Sequence, residues 1–281
     1  MGMQLAESFV AEPVGENRYR FPNPIPEGRG VIFGGHLLGV LAMAAARTDE
    51  GKSVKSAQGV FAKPVSADDP FEVSVDILNK GRVLSTMTSS VWQNGRECAR
   101  AIVMLTAAER DLLHHGDAMP DVPGPAESVA WPESLGREMR IVGGVDRHDP
   151  AVVGPPDLYV WLRHPDAGSD PLIAQAVVAH ASAGFLMGTQ MLPYDGIGER
   201  MAHDSISTGI VAHGVSFHEP ADLSQWLLVT SHGTHAAAGR AAGRGLVFTE
   251  DGTLVASFNQ EAIIRHFPEG HSASGRERTV L

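Results

Sequence analysis

The chain has a single cysteine, Cys98, so no disulfide can close within it and no zinc site built on several thiolates is available. It also lacks a basic N-terminal segment leading into an apolar stretch, and no uninterrupted run approaches the ~18 apolar residues that cross a bilayer. Membrane insertion is therefore not expected, and cytoplasmic residence is the default expectation. An excess of positive charge is missing too: the formal net charge is −11. That balance repels nucleic acid and anionic lipid surfaces, which both require a positive field. An anionic small ligand would need a local Arg/Lys cluster or helix N-termini. What is present is 281 residues with 43% hydrophobic content, enough for one large core or two moderate ones and outside the range of disordered or fibrous chains.

An internal repeat fixes the organisation. Phe61-Ala62-Lys63-Pro64 recurs as Phe217-His218-Glu219-Pro220, 156 residues on, and the turn dipeptide Asn94-Gly95 recurs as Asp251-Gly252, 157 residues on. Ahead of the first Phe-x-x-Pro, Leu37 to Ala46 is apolar on every face, the pattern of a buried helix; ahead of the second, Leu172 to Met187 is similar. After the first, Phe71, Val73, Val75 and Ile77 alternate with polar residues, the period of a half-buried strand, and the Asn-Gly and Asp-Gly pairs mark hairpins. One buried helix followed by hairpin-linked strands, twice over, predicts an α+β fold with an antiparallel sheet wrapped on each helix rather than a doubly wound α/β fold. The expected divisions are an N-terminal repeat over 1–110, a linker rich in Pro, Gly and acidic residues over 111–159, a C-terminal repeat over 160–267, and a polar tail over 268–281.

Along the strand after Asp251-Gly252, Gln260 shares its face with Leu254, Ala256, Phe258, Ala262 and Ile264, so a polar amide is aimed at the core. It is either a buried amide satisfied by backbone groups or part of a site. Thr234 alone is uninformative, since Thr is common in strands. Gly34 and Gly35, before His36 at a helix start, either leave an N–H free to polarise a carbonyl or allow close packing at a turn. The thirteen histidines invite a metal, but His232 and His235 are three apart on a strand and face opposite sides, so no metal site is expected.

Val31 to Arg47, with Phe33-Gly34-Gly35-His36, and the stretch from Trp226 to Arg265 with Thr234, Arg244-Gly245, Asp251-Gly252, Leu254-Val255-Ala256-Ser257 and Gln260-Glu261, resemble the type II (TesB-like) acyl-CoA thioesterases. The resemblance implies a double hot-dog fold, no cofactor, and binding of fatty acyl-CoA with Gly34, Gly35 and His36 near the substrate; His36 replaces the family's usual glutamine. It also implies an Asp, a Thr and a Gln that activate water on the thioester. Thr234 and Gln260 fall on the last two, whereas the Asp-His pair of relatives reads here, in Val211-Ala212-His213-Gly214, as Ala212 and His213, keeping the histidine and losing the acid. A second acidic position of relatives is Ala183. On strict alternation Ala212 would share a face with Ile210, Gly214 and Ser216, leaving room for a carboxylate, and His232 would share one with Thr234, ~7 Å away, as a substitute base. The expectation is a thioesterase-family protein with a degenerate active site and weak or altered hydrolysis; the alternative is a non-catalytic acyl-CoA binding pseudoenzyme acting as sensor or partner subunit. A homo-oligomer is compatible with either. A hot-dog hydratase fits less well, for want of the Asp and His spacing.

Overall fold

The computed structural model describes residues 5–24 and 30–267; the expected tail over 268–281 lies outside them. The first repeat comprises β1 (Glu12–Gly15), β2 (Arg18–Arg20), α1 (Gly34–Thr48), β3 (Ser53–Phe61), β4 (Glu72–Lys80), β5 (Leu84–Gln93) and β6 (Arg96–Thr106). Next come β7 (Val129–Ser134), β8 (Arg137–Ile141) and β9 (Asp157–Arg163), then α2 (Pro171–Ser182), α3 (Leu186–Met191), β10 (Ile206–Phe217), β11 (Leu227–Ala237), β12 (Arg240–Thr249) and β13 (Leu254–His266). The thirteen strands among the described residues form one sheet, in the order β1-β2-β4-β5-β6-β3-β10-β13-β12-β11-β9-β8-β7. The repeats join where β3 runs antiparallel to β10, with Gln58 opposite Gly214.

The repeat extends to the irregularities. Bulges interrupt the register at Lys55 and Val211, at Leu78 and Thr234, and at Cys98 and Val255. Each pair is 156 or 157 residues apart, so the two sheets bend at matching places. At the Asn94-Gly95 hairpin both residues have positive φ, 50° and 72°, as a two-residue turn of that twist requires; in Asp251-Gly252 only the glycine does, at 91°.

Helix α1 is buried from Gly35 to Ala46 because it carries no charged residue until Arg47. Each fully buried Leu or Met along it contributes roughly 1.5–3 kcal/mol of hydrophobic stabilisation. It packs against α2, which is likewise buried over Ala176–Ser182, and both lie on one face of the sheet, the inner face. The apolar run Pro171–Met191 is long enough to cross a membrane by length and composition. In this fold it is core, and it breaks at Ala183–Phe185 into two helices.

The segment expected to be a linker holds two strands, β7 and β8, which extend the second repeat's edge through β9. Its preceding part crosses the outer face of that repeat: Met119 and Val122 cover Trp161, Leu228 and Phe248, and Trp161 Nε1 donates to Pro123 O at 2.9 Å. The first repeat's outer face has Val60 and Ile102 exposed at 59% and 55%.

Candidate active site

Strand pairing sets one transverse rung of inward-facing residues across the second repeat: Gly233 opposite Gly243, Gly243 opposite Gln260, Gln260 opposite His213, and His213 opposite Gly59 of β3. Gln260 is 3% exposed, and neither Oε1 nor Nε2 has a hydrogen-bond partner among the described residues. A buried amide left without partners costs ~1–3 kcal/mol, so the position is unfavourable for folding alone. The core-facing orientation expected for Gln260 is the one observed.

His213 lies beside it. Its Nε2 is 2.8 Å from Ser182 Oγ in the last turn of α2, and its Nδ1 has no hydrogen-bond partner among the described residues. Burial pushes the imidazole down to about 4, offset in part by a backbone interaction with Asn259 that favours the protonated ring. On the other side of Gln260 the two glycines leave room for α3. A Cβ on Gly243 would come within 2.5 Å of Leu186 Cδ2, and one on Gly233 within 2.9 Å of Gln190 Oε1. Gln190 is anchored there by donating from Nε2 to Ala242 O at 2.5 Å.

The entry of α1 reaches the same region. Phe33 gives it no side-chain cap, so the first-turn N–H groups end near the seam between the helices without a side-chain acceptor. Gly35 is required by close approach: an added Cβ would lie 2.7 Å from His180 O and 2.8 Å from Ala183 Cβ. Ala183, at the C-cap of α2, is buried, and a longer side chain there would meet α1. Gly34 sits against Phe61 and Ile210. His36 turns away into the helix interface, stacked on Phe9 at 4.6 Å, and burial holds its ring well below the usual histidine range, with His180 adding to the effect.

Three expected placements change. Val211 is bulged out of register, so Ile210 pairs with inward Ala262 while Ala212 pairs with Glu261 and Val60 on the outer face. Ala212 thus neighbours Gln260 along the chain's register but faces the other way, and Ile210 does not share its side. Thr234 is the bulged residue between Gly233 and His235 and is exposed, which removes the alternation that paired it with His232. His232 faces outward, its Nδ1 2.7 Å from Asp157 Oδ1, in the lining of an outer-face cavity of about 400 Å³ shared with Tyr159 and Asp117. It is therefore separated from Gln260 by the sheet. Among the described residues no three His, Cys, Asp or Glu side chains are grouped to hold a metal. Ser182 and Gln190 are not singled out by the sequence, and His213 enters there only as the histidine of the family's Asp-His pair; its register opposite Gln260 needs the bulge to be known.

The comparisons bear on this arrangement. The acyl-CoA thioesterase N-terminal domain model matches residues 21–106 and the acyl-CoA thioesterase C-terminal domain model matches 114–264. The chain belongs to the type II acyl-CoA thioesterase family. Acyl-CoA thioesterase 2 of Haemophilus influenzae is 23% identical over 83% of this chain and 87% of its own length. Human acyl-coenzyme A thioesterase 8 is 23% identical over 92% and 88%. Among solved structures, the tesB protein of Mycobacterium avium subsp. paratuberculosis superposes with a TM-score of 0.80 at 24% identity, covering 92% of this chain and 98% of that one. Acyl-CoA thioesterase II TesB2 of Mycobacterium marinum gives 0.78 at 25%, covering 95% and 100%. The fold is accordingly a double hot-dog, with each helix wrapped by its half of the sheet.

Proposed function

We propose that this family member binds fatty acyl-CoA and hydrolyses the thioester weakly or by an altered route. The observation that carries the reading is Gln260, a buried amide with both polar atoms unpartnered, on a rung that holds no carboxylate from Gly233 to Gly59. Ala212, where the family resemblance places the Asp, supplies none either. Thioester hydrolysis needs a group to take the attacking water's proton, and a positioned base contributes ~10²–10⁴ in rate. An amide can orient water and cannot hold that proton. The uncapped α1 entry and the Gln260 amide supply hydrogen-bond donors for a thioester carbonyl. The lack of a carboxylate on the rung also supports the second reading, a binder with no turnover.

Calorimetric titration with a non-hydrolysable long-chain acyl-CoA analogue, paired with hydrolysis assays across chain lengths on the same preparation, tests this. Binding is expected, with turnover well below the ~1–10³ s⁻¹ ordinary for enzymes. Turnover within that range would reject a disarmed site, and no binding at high micromolar analogue would reject the ligand.

A further inference from the structure

The geometry points to His213 as the general base of this site, taking a proton from a water held by Gln260. The inference rests on the acyl-CoA reading above and adds the group that moves the proton.

Three observations converge. First, His213 and Gln260 are directly opposed across β10 and β13, so their side chains leave the sheet together, ~5 Å apart at Cβ. Both are almost fully buried, and His213 Nδ1, Gln260 Oε1 and Gln260 Nε2 all lack hydrogen-bond partners among the described residues. Three buried polar atoms without partners on one rung are what a polar guest would satisfy. Second, Ser182 offers a partner behind the ring for the tautomer this role needs. Its Oγ lies 3.0 Å from Ala179 O and 2.8 Å from His213 Nε2. A hydroxyl that donates to Ala179 O accepts from Nε2–H, and in that arrangement Nδ1 presents its lone pair to the rung. Third, burial keeps the ring neutral, down at about 4, which is the basicity of an ordinary carboxylate. No charged side chain contributes to that shift.

In the step itself, Gln260 Oε1 accepts one hydrogen of the water and His213 Nδ1 accepts the other as the water oxygen bonds to the thioester carbon. Collapse of the tetrahedral oxyanion breaks the C–S bond, and the Nδ1 proton passes to the departing CoA sulfur. The products are the free acid and the CoA thiol. Ser182 is a positioning residue.

Nitrogen-15 spectra of histidine-labelled wild-type protein read the tautomer directly. His213 is expected neutral, protonated at Nε2, at pH 7; an Nδ1-protonated or charged ring overturns the proposal. His213→Gln is expected to lower acyl-CoA hydrolysis by ~10²-fold or more while analogue binding is retained. Ser182→Ala, which frees the ring to change tautomer, should lower kcat with little change in KM. Hydrolysis by His213→Gln at the wild-type rate overturns the proposal, as does wild-type protein that binds the analogue yet never turns over; in both cases the binding reading survives. Absence of analogue binding removes that reading and this one with it.

Discussion

The two repeats share their bends and differ in what one rung carries. At the positions equivalent to His213, Gln260, Gly243 and Gly233, the first repeat has Ala57, Val103, Met87 and Ile77, paired in the same order. Ala57, Val103 and Met87 are fully buried, and nothing polar interrupts them. Matching bulges flank both rungs, at Leu78 in one half and Thr234 in the other. The backbone device that shapes the sheet is thus common to both halves. The rung's unpartnered polar groups belong to one. Where the first repeat fills its rung with side chains, the second deletes them at two glycines and fills the gap with Leu186 and Gln190 from α3, a helix with no counterpart after α1.

The largest effect expected is on acid stability, where the rung's His213 acts together with two other buried histidines. His213 and His164 are held down at about 4 and about 3 by burial, and His36 well below its usual range. Each has a folded value below the unfolded ~6.5, so the unfolded chain binds more protons as pH falls. Their contribution is fully present above pH ~6.5 and is lost progressively as pH drops towards the folded values. Thermal melts from pH 7 to 4 should show a steep fall in Tm over that window, shallower in His213→Gln; a flat profile would mean these rings are not buried neutral.

Next in size, Val103→Gln writes the second repeat's amide into the first. No site surrounds it there, so urea unfolding should show a loss of about 2–5 kcal/mol from the unpartnered amide and lost packing. The reverse exchange, Gln260→Leu, should raise stability by about 1 kcal/mol by removing two orphaned atoms, while abolishing any hydrolysis. A destabilised Gln260→Leu would mean that the amide has partners and that the rung is structural. The smallest effect is expected from Ala212→Asp. The bulge at Val211 aims that position at Glu261 and Val60, so hydrolysis should change by less than about threefold. A gain of ~10²-fold would show that the bulge can carry a carboxylate to the inner face.

The repeat and the inward aim of Gln260 were legible because both rest on strict spacing: Phe-x-x-Pro and the turn dipeptides recur at fixed intervals, and β13 alternates from Phe258 to Ala262. The placement of Ala212, Thr234 and His232 was not. It depends on bulges, which arise from sheet twist and pairing and leave no fixed residue signature at Val211 or Thr234. Strands β7 and β8 were hidden because Pro132 and clustered charges mask the apolar positions Trp131, Met139 and Ile141. The break between α2 and α3 was equally obscure, since Ala183 and Phe185 read as continuous helix and only Gly184 interrupts them.

The β3–β10 junction has a consequence for how the chain can be divided. Each half ends its own sheet at this seam, and each seam strand is the complement of the other, with Gln58 facing Gly214 near a local two-fold axis. Residues 107–113 join the halves as coil, with Leu112 94% exposed. A nick there would leave two fragments with complementary open edges, and the covalent connection raises the concentration of each edge at the other. The molecule is, in effect, a tethered heterodimer, free to specialise one subunit because the other is always present to complete the sheet.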